Sequence, residues 1–175
     1  DEPLDAAEVA ATQGFPTLVP LSFLARMEPE NRDDPLLLQV LPVAAEAERT
    51  FGFTSDPVGD SSARAAPGML HKYHGRALLI TSGTCAVHCR YCFRREYPYS
   101  EEPRRLSDWD PALQQISADR SITEVILSGG DPLILNDDRL RTLCRRIDDI
   151  DHVERLRIHT RLPIVLPARV TDELL

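Results

Sequence analysis

Three short apolar runs constrain this chain more than any other feature. They are "RALLITSG" (76–83), "TEVILSGGD" (123–131) and "VERLRIHT" (153–160), and each ends in glycine, hydroxyl or charged residues. Runs of this length without polar alternation read as strands buried on both faces. Helix patterns lie between them. In "DPALQQISAD" (110–119), Asp110 stands as a cap with Pro111 in the first turn. In "NDDRLRTLCRRIDDI" (136–150), Leu140, Leu143, Cys144 and Ile147 recur at helical spacing. Strands alternating with helices make an α/β fold with a parallel sheet. Ligands of such sheets sit at the C-terminal strand ends, so the segment after residue 83, "SGGD" and "HTR" are expected on one edge.

The remainder is less regular. Residues 1–50 read as short helical pieces broken by Pro16, Pro20, Pro29, Pro35 and Pro42, with "SFLARM" and "DPLLLQVL" apolar enough to pack. Asp34 before Pro35 is a plausible N-cap. Residues 51–70 read as an irregular connection, and "LPIVLPARV" (162–170) as a loop or an edge. The expected division is a helical or irregular extension over 1–74 and the α/β region over 75–175.

Composition narrows the partners. The apolar share of 42% and charged share of 27% suit a soluble globular protein. A net charge of −8 argues against nucleic acid or an anionic membrane. Arg90, Arg94, Arg95, Arg104 and Arg105 form the nearest thing to a basic patch, which suggests a small anionic ligand. No apolar run approaches the ~20 residues of a membrane span, and the acidic opening "DEPLDAAE" is unlike a signal peptide. Four cysteines are too few for a disulfide scaffold, so a reducing, cytoplasmic compartment is expected.

Three of those cysteines, Cys85, Cys89 and Cys92, are spaced C-x3-C-x2-C just after the first apolar run. Thiolates at this spacing favour zinc, copper(I) or iron–sulfur clusters. Zinc would need a fourth ligand. Cys144 lies among leucines of a helix face, and His88 sits awkwardly between two of the thiols. Three ligands without a good fourth point to a cluster with one iron left open, while a zinc-stabilised structural or interaction module stays as the alternative. His71, His74, His88, His152 and His159 show no metal-ligand spacing.

The stretch "CAVHCRYC" resembles the radical S-adenosylmethionine (SAM) signature, three cysteines with an aromatic before the last. "PGMLHKYHGRALLITSGTCAVHCRYCFRRE", "VILSGGDPL" and "RIHTRLPIVLPARVT" resemble the lysine 2,3-aminomutase family. "FLARMEPENRDDPLLLQVLP" and "GFTSDPVGD" are similar to its branch that makes (R)-β-lysine for modification of elongation factor P. The resemblance runs from about residue 18 to the C-terminus.

That resemblance implies a partial parallel (β/α) barrel of radical SAM type with a helical N-terminal extension. It implies a [4Fe–4S] cluster on Cys85, Cys89 and Cys92, with SAM on the open iron yielding a 5′-deoxyadenosyl radical. It also implies pyridoxal 5′-phosphate (PLP) carrying L-lysine while nitrogen moves from Cα to Cβ. Tyr91 would lie near the SAM adenine; Gly129, Gly130 and Asp131 would form the glycine-rich SAM motif. Gly129 and Gly130 are otherwise a tight turn, and Asp131 a helix N-cap. Thr160 and Arg161 would face the cofactors, with a structural role as the equal alternative. Tyr73 and Arg76 would bind PLP, with Lys72 standing where the family often has arginine. Arg94 would hold the substrate carboxylate, and Asp56 would lie near the site. The implied partners are L-lysine, an electron donor, elongation factor P and its lysylating ligase. Oligomeric state is left open, and an aminomutase for another amino acid such as glutamate is the alternative within this chemistry.

The chain stops partway through the family's barrel. The family's PLP-anchoring lysine and the acids for the substrate ε-ammonium lie beyond its last residue, and Lys72, its only lysine, matches the phosphate side. An exposed parallel edge and an incompletely competent fragment are therefore expected.

Overall fold

The computed structural model describes residues 6–48 and 50–175; the first five residues and Arg49 of the expected extension lie outside them. The extension begins with α1 (Ala6–Gly14) and α2 (Leu21–Leu24). Asp34 caps as expected, but what it caps is a 3-10 turn, Leu37–Gln39, with its Oδ1 accepting the N–H groups of Leu36 and Leu37 at 2.8 and 2.9 Å.

The five-stranded sheet runs in the order β1 (Arg64–Ala66), β2 (Met69–Tyr73), β3 (Arg76–Ser82), β4 (Glu124–Gly129) and β5 (Arg155–Ile158). β3, β4 and β5 are the three expected strands and pair in parallel. β1 and the start of β2 arise where an irregular connection was expected; β1 pairs antiparallel with β2, and β2 with β3. Their signal is weak because "RAA" and "MLHKY" are short and carry little apolar pattern. The sheet supplies the partner instead: Tyr73 faces Arg76 across a two-residue turn whose Gly75 has φ 79°, a backbone region open to glycine.

One face of the sheet is covered by α3 (Asp110–Ala118) and α4 (Asp137–Asp148). Ala77 and Leu79 of β3 and Val125 and Leu127 of β4 meet Ala112 and Ile116 of α3 and Leu140, Leu143 and Ile147 of α4 in one core. Asn136 caps α4, its Oδ1 accepting from the Arg139 N–H at 3.0 Å. Asp110 does not cap α3. The helix starts on Asp110 itself, Trp109 takes the cap position, and the Asp110 carboxylate pairs with Arg146. The opposite face carries Leu78, Ile126 and Arg157 in one row, as the register requires.

β5 departs from the buried strand expected: all four of its residues are exposed. Arg155 and Arg157 alternate with Leu156 and Ile158, and the two arginines pair with Glu124 at 3.3 and 2.9 Å. β5 is also the sheet's last strand, so one side has no neighbour among the described residues. Beyond it, "LPIVLPARV" forms α5 (Leu162–Val165) and a 3-10 turn, Pro167–Arg169. No helix among the described residues is long and apolar enough to cross a membrane.

The five arginines do not make one basic patch. Arg90 is 8% exposed and forks onto Glu46, with Nε 2.9 Å from Oε1, while its Nη1 donates to the Phe15 carbonyl at 2.6 Å. Arg95 reaches the same carboxylate at 2.7 Å. Arg104 and Arg105 stand apart, their backbone N–H groups bound by Asp108. Only Arg94 faces the cavity described below. Burial pushes the Glu46 carboxyl up, but hydrogen bonds from Arg90 and Arg95 outweigh it and hold it down to about 2.

A carboxyl held lower in the folded state stabilises above its unfolded value and loses that contribution as pH falls through the folded one. Glu46→Gln should therefore cost about 3 kcal/mol or more at pH 7, because Arg90 is left buried without its anion. In urea titrations the gap between variant and parent should close as pH falls from about 4.5 toward about 2.

Candidate active site

The C-terminal ends of β3, β4 and β5 open together on a cavity of about 640 Å3. Cys85, Cys89 and Cys92 lie on its wall with Tyr91 and Arg94, all from the loop after β3. Gly129, Gly130 and Asp131 enter from the end of β4, and Thr160 and Arg161 from the end of β5. Tyr73 and Arg76 stand elsewhere, in an adjoining recess of about 220 Å3 that shares Leu78, Arg94 and His159 with the main cavity. There the Arg76 guanidinium lies 5.6 Å over the Tyr73 ring.

The glycine pair is explained by a close approach. A Cβ on Gly130 would lie 2.4 Å from the Thr84 carbonyl oxygen, and one on Gly129, at φ 115°, would lie 2.6 Å from that of Ser82. The gap is closed by backbone bonds: Gly130 N–H donates to Ser82 at 2.6 Å and Asp131 N–H to Thr84 at 2.9 Å. The turn thus lies flat against the cysteine loop.

Asp131, 5% exposed, caps the following turn as its position suggested. Its carboxylate also accepts from Thr160 Oγ1 at 2.6 Å and from the backbone N–H groups of Arg161 and Leu162 at 2.8 and 3.2 Å. With Leu133 N–H at 3.0 Å, the four acceptor positions of a carboxylate are filled. Asp131 and Thr160 shape the wall, and Asp131 has no lone pair to spare.

Arg161 extends along that wall. Its Nη1 lies 2.6 Å from Cys89 Sγ and also meets the Tyr91 hydroxyl, and its Nη2 donates to Gln39 Oε1 at 2.6 Å. Its guanidinium carbon lies 5.5 Å over the Tyr91 ring. Arg94 is 9% exposed, with Nε donating to Asp60 Oδ2 at 2.7 Å and Nη1 3.3 Å from Ser128 Oγ. Asp56 only holds the turn, accepting the N–H groups of Asp60 and Ser61 at 2.8 and 2.9 Å. Asp60 is the aspartate that reaches Arg94. It was overlooked although it closes "GFTSDPVGD". Gln39 and Ser128 carried no chemical signal at all.

Burial pushes the Cys85 thiol up to about 12, with Asp131, Cys92 and Cys89 adding repulsion and Arg161 opposing them. Ionising the Cys85 thiol here calls for a bound cation, and thiolates select soft metals and iron–sulfur clusters. The two candidate fourth ligands for zinc face elsewhere. Cys144 packs against the core below α4. His88 stacks on Phe15 at 4.9 Å, with its Nδ1 2.7 Å from the Pro16 carbonyl. Among the described residues no three His, Cys, Asp or Glu side chains are gathered into a ready metal cage. Three thiols on one cavity wall are donors of the kind that would suit a soft metal or an iron–sulfur cluster.

Residues 79–174 match the radical SAM superfamily. The chain belongs to that superfamily. Within it, the chain is 47% identical to the L-lysine 2,3-aminomutase of Haemophilus influenzae over 94% of its own length and 49% of the relative's. It is 48% identical to that of Escherichia coli, covering 94% of itself and 48% of the relative. The L-lysine 2,3-aminomutase of Clostridium subterminale is 33% identical, over 87% of this chain and 37% of the relative. The chain thus spans about half the length of the first two. The match begins within β3 and takes in the cysteine loop, the glycine turn and Arg161.

Gly130→Ala should destabilise the fold by about 1–3 kcal/mol through forced overpacking, because the Thr84 backbone cannot withdraw without losing its bond to Asp131. Chemical denaturation measures it, and the same variant should bind less iron on reconstitution.

Proposed function

We propose that the protein is a radical SAM, PLP-dependent L-lysine 2,3-aminomutase, converting L-α-lysine to (R)-β-lysine. The observation that carries this is one cavity holding both the three-thiol set and Arg94, in a chain whose relatives at 47–48% identity bear that activity's name. Cys85, Cys89 and Cys92 would hold the [4Fe–4S] cluster. Bound there, the cluster would supply the electron that releases a 5′-deoxyadenosyl radical from SAM. PLP, when bound, would supply a conjugated π-system that stabilises the unpaired electron while nitrogen moves from Cα to Cβ.

The chain's own residues bind, orient and exclude. Arg94 offers a planar, permanently charged fork to the substrate carboxylate. Tyr73 and Arg76, with Lys72 beside them, give the adjoining recess an aromatic face and cations for a phosphate. Tyr91, at the cavity mouth, presents its ring to the adenine. Gly129 and Gly130, pressed against Ser82 and Thr84 where a Cβ would intrude, offer their backbone to SAM at the cavity wall. Val87, Leu162 and Val165 make part of the wall apolar, which keeps water from a reactive radical.

The finer assignment follows the branch-like segments of the extension. Gln39, in one of them, touches Tyr91 and Arg161, which supports an extension (1–74) working with the barrel part (75–175). In this reading β-lysine passes to the ligase that lysylates elongation factor P, and the thiol-rich site works in the reducing cytoplasm. Zinc loses ground to the positions of Cys144 and His88, and a glutamate aminomutase is separated by product.

Anaerobic reconstitution should give a brown protein that makes 5′-deoxyadenosine from SAM on reduction, and β-lysine from L-lysine is the product expected of a form that also carries the PLP-anchoring lysine. Serine at Cys85, Cys89 or Cys92 should abolish the colour, whereas Cys144→Ala should retain it. A colourless protein with one zinc per chain, lost in Cys144→Ala, would sink the proposal; β-glutamate as product would redirect it.

A further inference from the structure

Asp60 is 3% exposed and lines the smaller recess beside Arg94, which faces both that recess and the main cavity. Its two oxygens serve two cations: Oδ2 accepts from Arg94 Nε at 2.7 Å and Oδ1 from Lys72 Nζ at 3.0 Å. Its backbone is pinned as well, through the bond from its N–H to Asp56 Oδ1 at 2.8 Å. The Lys72 ammonium also donates to the Val58 carbonyl, on the same turn. A carboxylate this buried is retained between two cations at a desolvation cost that needs a return.

The geometry of Arg94 shows what that return is. With Nε committed to Asp60, the guanidinium keeps one edge, Nη1 with Nη2, for a planar anion. Nη1 lies 3.3 Å from Ser128 Oγ, which limits rotation of that edge. Without Asp60, Arg94 and Lys72 would be neighbouring cations with no anion between them, and the arginine side chain would swing. We propose that Asp60 is a positioning residue. It orients Arg94 for the α-carboxylate of an amino-acid substrate and ties that orientation to Lys72 on the phosphate side. This rests on the carboxylate role of Arg94 proposed above.

A role in folding alone would weaken every ligand equally or none, so the decisive quantity is carboxylate selectivity. In the holoprotein loaded with PLP, dissociation constants for L-lysine and for cadaverine, which lacks the carboxylate, are read from the absorbance of the bound cofactor. Asp60→Asn should cut the preference for lysine over cadaverine by about tenfold or more, since a misplacement near 1 Å can cost up to ~100-fold. Asp60→Glu, which keeps the charge but shifts it by a methylene, should cut it by a smaller factor, about threefold. Arg94→Lys serves as the control and should lose the preference too. Thermal unfolding identifies the folded variants, and if Asp60→Asn fails to fold, Asp60→Glu decides. An unchanged preference in the folded Asp60 variant, with the Arg94→Lys preference lost, overturns the proposal and leaves the reading of Arg94 standing. An unchanged preference in Arg94→Lys overturns both.

Discussion

The carboxylate of Asp131 holds the working edge of this protein together. It accepts from Leu133 on its own turn and from Thr160, Arg161 and Leu162 at the end of β5, while its N–H reaches Thr84 after β3. Three strand ends are thereby tied to one residue. The glycines before it serve the same end, since only residues without a Cβ let the turn press against Ser82 and Thr84. The cavity therefore inherits its shape from backbone contacts, which are stiffer than contacts between long side chains.

The cysteine loop needs outside help of another kind. Residues 83–98 form neither helix nor strand, so their backbone groups must be satisfied elsewhere. The extension provides this: Leu18 accepts from the His88 N–H at 2.9 Å and Gln39 from that of Arg90 at 2.8 Å. The Arg90–Glu46 pair fastens the same loop, and Val87 packs with Phe23, Val40 and Val165 in a second small core. What looked like a preamble to the α/β region is the support for its thiols.

How legible this was in the sequence depended on the range of the forces involved. The parallel strands and α4 were readable because their apolar spacing is a local consequence of burial. The convergence of the cysteine loop, the glycine turn and the end of β5 followed from topology alone. β1 and β2 escaped because a short strand with little apolar pattern is fixed by the neighbour it pairs with. The basic patch dissolved because Glu46, some fifty residues away, claims two of its arginines. Asp60 went unnoticed for a related reason: a buried ionic partner is chosen by three-dimensional proximity, and "VGD" shows only a turn. β5 was misjudged because its arginines, read among apolar neighbours, passed for part of a buried run.

The β2–β3 hairpin also gives the chain an order in time. Tyr73 finds Arg76 across a two-residue turn, at the small entropic cost of closing so short a loop. β4 can reach β3 only after the whole cysteine loop and α3 have been gathered in, and parallel pairings of that separation form slowly. β3 therefore waits with one side already occupied and a single side on offer. A later strand has only one berth, and the thiols fall into place after the register beneath them has been set.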